Sequence, residues 1–351
     1  MGDKKDKKDT AMTYLILRFS TLGNVVMAVP VIDSLSRLQR NDRFVVVAEK
    51  NLRAMFHGMD NVVFHEAACP MRLSHITAMH RQLAEYKPDA VIDLQDNIYS
   101  RALCALFRLK KTPVHTIRYG RMQKLAAIYL RGADKVLPSE QERYMETLHR
   151  AGLKTDTQFT ALAVNETARL HTEEKYGTKN GRRIGIAPFA KHRTNILPLR
   201  TMKKVTEHFA KSADTRVYLF GAGNIESEML RQWSSIMPDT FCIAGQLPLE
   251  EELELMRQLD VMICMDSANQ HLSSLVGLRA VSIWLGTHPR LGFYGWKQRA
   301  GDCIQTTLPC RPCTIHGTGH CRYLNFACHQ IQAETIIKKA EEVLSEQKNA
   351  S

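Results

Sequence analysis

The sequence predicts an α/β protein made of two parallel-sheet halves, and three observations carry that prediction. Its candidate strands are short, continuous apolar runs; these runs alternate with helical patterns; and the alternation breaks at one polar stretch before restarting. Continuous apolar runs are expected of parallel strands whose sheet is covered by helices on both faces. The length agrees, since 351 residues exceed one comfortable core and suit two.

The elements follow in order. Residues 1–11 are a polar, lysine-rich tail expected to be disordered. Tyr14–Leu17 reads as a buried strand, Arg18–Asn24 as a turn, and Val25–Gln39 as a helix. Strand Phe44–Ala48, a helix near Leu52, strand Val62–His65, a helix from Ser74 to Tyr86 and strand Ala90–Leu94 come next. The polar stretch Asn165–Arg183, with Gly177 and Gly181, reads as the linker. Beyond it stand strand Arg183–Ala187, helix Leu199–Ala210, strand Arg216–Phe220, helix Ile225–Trp233 and the run Phe241–Gly245. Helix Leu249–Gln258, strand Val261–Met265, helix His271–Val276 and strand Ala280–Trp284 complete the second half. The division expected is an N-terminal domain over 12–170, a C-terminal domain over 182–330 and a last helix over 331–348 packing back across both. The architecture is two Rossmann-like domains facing across a cleft, with ligands at the C-terminal ends of the strands.

Composition narrows the classes. No apolar run reaches the roughly 18 residues a spanning helix needs. Arg18 interrupts the first run after six residues, so a signal peptide is not expected, and Asp6 occupies the position where N-myristoylation wants Ser or Thr. A cytoplasmic protein is the expectation. The net charge of +12 points to an acidic partner. From Asn97 to Ala133 there is no Asp or Glu, while Arg101, Arg108, Lys110, Lys111, Arg118, Arg121, Lys124 and Arg131 are present. Interleaved with leucines, the 101–131 segment reads as amphipathic helices with a basic face, suited to anionic lipid or a phosphorylated acceptor at the cytoplasmic face of a membrane. A plain solvated face is the alternative. No recognition-helix or zinc-finger pattern supports nucleic acid.

Nine cysteines do not make a secreted disulfide scaffold here. Cys104, Cys242 and Cys264 lie in apolar runs and read as buried thiols. Cys303, Cys310, Cys313, Cys321 and Cys328 crowd with His316, His320 and His329. These are ligand types for a structural zinc, but their spacing matches no paired zinc module, so reduced thiols in a loop and no metal are expected.

The segment Met265-Asp266-Ser267-Ala268-Asn269-Gln270-His271-Leu272 carries the chemistry. A buried strand ends and a helix begins, so backbone N–H groups offer an anion site. Asp266 can accept from sugar hydroxyls, Ser267 can cap the helix or bond a phosphate, and His271 can donate to it. Taken alone, Asp266-Ser267 is an ordinary helix cap.

With its neighbours the segment resembles glycosyltransferase family 9, the ADP-heptose:lipopolysaccharide heptosyltransferases, which carry Asp-Ser/Thr-Gly-x-x-His-Leu. Val281–Pro289, Gly292–Trp296, Leu17–Val26 and Ile92–Asn97 are similar to further family segments, in order from about Tyr14 to Cys328. The resemblance implies a GT-B fold and inverting, metal-independent transfer from a nucleotide-activated sugar such as ADP-heptose to an anionic glycolipid, with no other cofactor. It places Asn24 where the family has its Asp base, and an amide has no useful basicity near neutral pH. It places Asn195 at the family's Lys, with Lys191 and Arg193 in the same loop as cations for the departing diphosphate. Ala268 and Asp96 replace family glycines, and Asp96 is an alternative base. Gly221 belongs to the glycine turn Gly221-Ala222-Gly223; Glu226 matches a ribose contact and Leu247 an adenine contact, although Glu226 also suits a helix start and Leu247 plain packing. Two functional readings stay open: a heptosyltransferase, or a relative that binds nucleotide-sugar or acceptor without turnover. An NAD-dependent enzyme would need Gly-x-Gly-x-x-Gly after the first strand, and Ser20–Asn24 lacks it.

Overall fold

A computed structural model describes residues 11–19, 22–67, 70–129, 136–321 and 323–349. Most of the expected tail, the lipidation positions Met1, Gly2 and Asp6, the turn residues Ser20 and Thr21, and Arg131 of the basic segment lie outside the described residues.

In chain order the elements are β1 Thr13–Leu17, α1 Leu22–Leu38, β2 Arg43–Ala48, β3 Val62–Glu66, α2 Ile76–Ala84, β4 Ala90–Asp93, α3 Ile98–Leu109, β5 Val114–Thr116, α4 Arg121–Tyr129 and α5 Glu140–Arg150. There follow α6 Glu166–Tyr176, β6 Arg182–Ala187, α7 Leu199–Ala210, β7 Thr215–Leu219, α8 Gly223–Ile236, β8 Thr240–Cys242, α9 Leu249–Arg257, β9 Val261–Met265, α10 Ala268–Leu275, β10 Ala280–Trp284, β11 Cys303–Gln305 and α11 Ala333–Lys348. The chain forms two compact units, one of residues 1–119 and 140–159, the other of 120–139 and 160–351.

Unit 1 holds a five-stranded parallel sheet in the order β3-β2-β1-β4-β5. Leu15, Leu17, Val45, Val47 and Val91 on its strands pack against Leu103 and Phe107 of α3. Burying each such side chain contributes about 1.5–3 kcal/mol, which offsets the entropy of ordering the strand. Unit 2 holds a six-stranded parallel sheet in the order β11-β10-β9-β6-β7-β8. Ile184, Ile186, Ile263 and Ile283 of its strands meet Ile336, Ala340 and Val343 of α11, so this helix packs on the sheet of its own unit.

Several expectations change. The stretch read as a linker contains α6, because the Asn165 side chain accepts from Ala168 N–H at 3.1 Å and caps a helix that Gly177 ends at φ 77°. The segment 120–139 belongs with unit 2: Leu137 N–H donates to the Arg290 carbonyl at 2.9 Å, and Ala127 and Leu137 pack on Leu291. The helix expected near Leu52 is a 3-10 turn, Lys50–Phe56. Helix α1 starts at Leu22, which puts Asn24 in a helical first turn instead of a loop. Cys104 and Cys264 are buried as expected, whereas Cys242 is half-exposed.

Candidate functional site

In each unit the connections reverse direction between two adjacent strands, and their C-terminal loops must diverge there. That opening is where a parallel sheet admits a ligand. In unit 2 it lies between β6 and β9, and it brings together Asn195, from the loop after β6, and Asp266, which follows β9.

Asp266 is held by three neutral side chains. Its Oδ2 accepts from Asn195 Nδ2 at 3.1 Å and Thr287 Oγ1 at 2.6 Å, and its Oδ1 accepts from Gln270 Nε2 at 3.0 Å. A carboxylate has about four acceptor positions, so one remains for a further donor such as a sugar hydroxyl. Burial pushes its carboxyl up to about 6, while the Thr287 and Gln270 hydrogen bonds and the charge of Arg311 oppose the rise. The group is therefore ionised at neutral pH.

The polar atoms around it are not all paired. Asn195 Oδ1, Ser267 Oγ, Gln270 Oε1 and His271 Nδ1 are buried without a hydrogen-bond partner. Such atoms are rare in folded proteins, and four at one strand-end opening are open hydrogen-bonding capacity of the kind a polar ligand can use. Ser267 stands at the N-cap of α10 but makes no side-chain cap bond, contrary to expectation. His271 is in the first turn of α10, not at its start, and burial lowers its basicity to about 4. Its imidazole is then neutral near neutral pH, with one N–H to offer and Nδ1 unpaired. Ala268 opens α10 with an ordinary helical backbone, so only space, and not a left-handed conformation, distinguishes it from glycine.

The other expected residues have mixed placements. Gly221 is a packing glycine: a β-carbon there would lie 2.9 Å from Leu230 Cδ1. Glu226 Oε2 accepts from Ala222 N–H at 2.8 Å and so closes the start of its own helix. Leu247 is half-buried, and Lys191 and Arg193 are exposed on the loop that carries Asn195.

Sequence reasoning missed Gln270, Thr287 and Arg311 as site residues. Arg311 is 6% exposed, and its guanidinium donates to the carbonyls of Trp284 and Thr287, both at 2.9 Å, and to those of Leu285 and Thr306. It thereby holds the loop from which Thr287 reaches Asp266. An arginine between two cysteines in a basic chain gives no local signal of that role. Cys310, Cys313, Cys321 and Cys328 line one small cavity with Thr194 and Gly286. Their thiols are free, and among the described residues no group of three or more His, Cys, Asp or Glu is arranged to hold a metal.

In unit 1 the opening lies between β1 and β4. Arg18, 3% exposed, spans it, donating to Gln95 Oε1 and Tyr119 Oη at 3.0 Å each and to the Asn24 carbonyl at 3.5 Å. Tyr144 Oη also donates to that carbonyl, at 3.4 Å. Asn24 is thus held through its backbone by Arg18, six positions before it, and by Tyr144, 120 positions after it. Asp93 is fully buried and accepts from Gln95 N–H, Asp96 N–H and Ser100 Oγ at 3.0, 2.9 and 3.1 Å. Asp96 has φ 44° and pairs with Arg101 at 2.8 Å. The left-handed backbone explains a glycine preference at this position. The Arg101 guanidinium occupies one oxygen of that carboxylate.

Among the described residues no helix is long and apolar enough to cross a membrane. Residues 76–320 match the family model of glycosyltransferase family 9 (heptosyltransferase). A comparison with curated protein sequences gives no match. Among solved structures, a glycosyl transferase family 9 protein from Veillonella parvula is similar with a TM-score of 0.73 at 16% identity, over 95% of this chain and 98% of that one. The ADP-heptose LPS heptosyltransferase II of E. coli gives 0.72 at 18%, over 96% and 100%. E. coli heptosyltransferase WaaC with ADP gives 0.66 at 17%, over 95% and 100%. At such identities the likeness shows the fold, two parallel-sheet α/β halves of the GT-B type.

Proposed function

The chain belongs to glycosyltransferase family 9, and from that premise we propose that it transfers a heptose or related sugar from an ADP-activated donor to a lipopolysaccharide core-type acceptor. The observation that carries this reading is the group of unpaired buried atoms on Asn195, Ser267, Gln270 and His271 around the Asp266 carboxylate. A nucleotide-sugar has the complement: hydroxyls that donate to Asp266 and phosphate oxygens that accept from Ser267, His271 and the first N–H groups of α10. Gly221, Glu226 and Leu247 would border the nucleoside, with the second oxygen of Glu226 available for ribose.

In the reaction the acceptor hydroxyl oxygen bonds to the anomeric carbon from the face opposite the diphosphate. The carbon–oxygen bond to the diphosphate breaks, ADP departs with the bonding pair, and the hydroxyl proton passes to a base. Transfer inverts the anomeric centre and uses no metal. Asn24 orients the acceptor but cannot take its proton; Asp96 or a phosphate of the acceptor takes it. Lys191 and Arg193 balance the diphosphate charge.

Asn24 also favours a second reading, binding of the donor without turnover. One experiment separates the two. The unmodified protein and Asn24→Asp are given ADP-heptose and lipid acceptor, with donor affinity and ADP release measured together. ADP release by the unmodified protein supports transfer. Donor binding without release, with release recovered in Asn24→Asp, supports the second reading. Absence of donor binding removes both.

The basic segment 101–131 bears on where the acceptor is met. In unit 1, Leu109 of α3 is exposed beside Arg108 and Lys110; in unit 2, Met122 and Tyr129 of α4 are exposed on the helix that carries Arg121. Apolar tips among cations suit peripheral docking to the anionic cytoplasmic leaflet. Sedimentation with anionic but not neutral vesicles, at low but not high salt, is the expected result.

A further inference from the structure

The four cysteines in the loop after β11 share one place but not one environment. Cys310, Cys313, Cys321 and Cys328 line the same small cavity, and a larger cavity of about 180 Å³ adjoins it at Cys310 and Cys313. All four thiols are free; Cys328 is buried and the other three are half-exposed. Beyond Cys321 the chain curls back on the sulfur. Leu324 N–H donates to the Cys321 carbonyl at 3.1 Å, and Leu324 and Phe326 take left-handed backbone at φ 56° and 46°, which residues other than glycine rarely adopt. As a thiol, Cys321 donates to Asn325 Oδ1 at 3.8 Å. Burial opposes its ionisation, but the backbone N–H groups of Phe326, Tyr323, Asn325 and Leu324 outweigh burial and hold the thiol below its ordinary value.

Its neighbours are held the other way. Cys313 Sγ donates to the Cys310 carbonyl at 3.2 Å, a bond that only the protonated thiol makes. Burial pushes the Cys313 thiol up to about 11, with Cys310 adding to the rise, and burial raises Cys328 against the charge of Arg311. One thiol of the cavity is ready to ionise and the others keep their protons, which is the asymmetry of an attacking and a resolving cysteine. The same loop touches the candidate site. Cys313 N–H donates to the Gly286 carbonyl at 2.8 Å, just before Thr287, and His329 Nε2 donates to the Thr194 carbonyl at 3.2 Å, just before Asn195. Gly317 lies against Asn195, where a β-carbon would stand 2.8 Å from Nδ2. Thr287 and Asn195 are two of the three donors to Asp266.

We propose that Cys321 is a site of thiol–disulfide exchange with small-molecule disulfides, resolved by a second cysteine of its cavity into an internal disulfide. The Cys321 thiolate attacks one sulfur of the small disulfide, its S–S bond breaks, and one thiolate departs. The second cysteine then attacks Cys321 Sγ in the mixed disulfide, gives its proton to solvent and expels the other thiolate. Two protein thiols are oxidised and one small disulfide is reduced to two thiols. An S–S bond of about 2 Å draws in the loop that contacts Gly286 and Thr194, and so loosens Thr287 and Asn195 on Asp266. Only this last effect rests on the transferase reading above. The test treats the reduced full chain with oxidised glutathione and follows it by intact mass and disulfide peptide mapping. A glutathione adduct on Cys321 is expected to convert to a cross-link with Cys310, Cys313 or Cys328, with Cys104 and Cys264 unmodified and dithiothreitol reversing the change. Cys321→Ser should slow the reaction about tenfold or more, the change in thiolate fraction that one pKa unit makes, and Cys303→Ser should not. The cross-linked protein should bind ADP several-fold more weakly than the reduced one. Modification spread evenly over the cysteines, or an unchanged rate in Cys321→Ser, overturns the site. So does a stoichiometric metal in the purified protein that blocks these thiols until it is chelated. Equal ADP affinity in both forms overturns the link to the donor, whereas no ADP binding in either form fails the transferase reading and leaves the exchange site standing.

Discussion

Asp93 and Asp266 occupy equivalent places, each at the end of a strand beside the point where its sheet reverses direction, yet they are held in opposite ways. Asp93 takes its three hydrogen bonds from residues two, three and seven positions later in the chain, two of them backbone N–H groups. Asp266 takes its bonds from side chains four, 21 and 71 positions away. Around Asp93 the local turn is closed. Around Asp266 two of the three donors, Asn195 and Gln270, leave their amide oxygens unpaired. A buried acid satisfied by its own turn is a structural element, whereas one held by side chains with spare capacity has the arrangement the proposed donor site needs.

The largest expected effect breaks this comparison directly. Asp266→Ala should abolish measurable ADP-heptose binding while the protein remains folded. Asp93→Ala should leave three donors without an acceptor and cost about 2–4 kcal/mol of stability, with donor affinity little changed. Thermal melts and calorimetry on both variants decide it, and matching losses of binding and stability in the two would erase the distinction.

Next in size is Arg311→Met. It strands the carbonyls of Trp284, Leu285, Thr287 and Thr306 and should cost on the order of 3 kcal/mol, because buried acceptors lose a charged donor. Donor affinity should fall as well, through release of the loop bearing Thr287. A variant of normal stability would show that water replaces the guanidinium.

A smaller effect is written in pH. Burial holds the Asp266 carboxyl at about 6, against 3.8 ordinarily, so the folded state retains a proton that the unfolded chain releases. Stability should fall as pH rises between those values and stay lower above them. Asp266→Asn removes that fall and should be more stable than the unmodified protein at pH 8, by on the order of 2 kcal/mol, but not at pH 4. Denaturant unfolding at the two pH values measures it; a gain equal at both would mean the carboxyl titrates normally.

The smallest expected effect is in unit 1. Asp96→Gly relieves a left-handed backbone at φ 44° and gives up the pair with the exposed Arg101. A slight rise in melting temperature, within about 1 kcal/mol, is expected. The same variant tests Asp96 as a base, because turnover that survives it assigns the proton elsewhere.

The sequence by itself was enough for the alternation of strand and helix, the α/β class, and the segment Asp266–His271, because apolar periodicity and a strand-to-helix switch are local properties. It misread 165–183 as a linker, since Asn165, Gly177 and Gly181 punctuate a helix end as readily as a loop. Only the tertiary structure brought Asn195, Gln270 and Thr287 onto Asp266 and left Ser267 uncapped. It also set Thr194 and Gly286 against the cysteine loop. These are consequences of which strands lie side by side and which loops then meet. Hydrogen bonds between residues 71 positions apart leave no periodicity in the chain, and a buried arginine reads, in a list of letters, like any other surface charge.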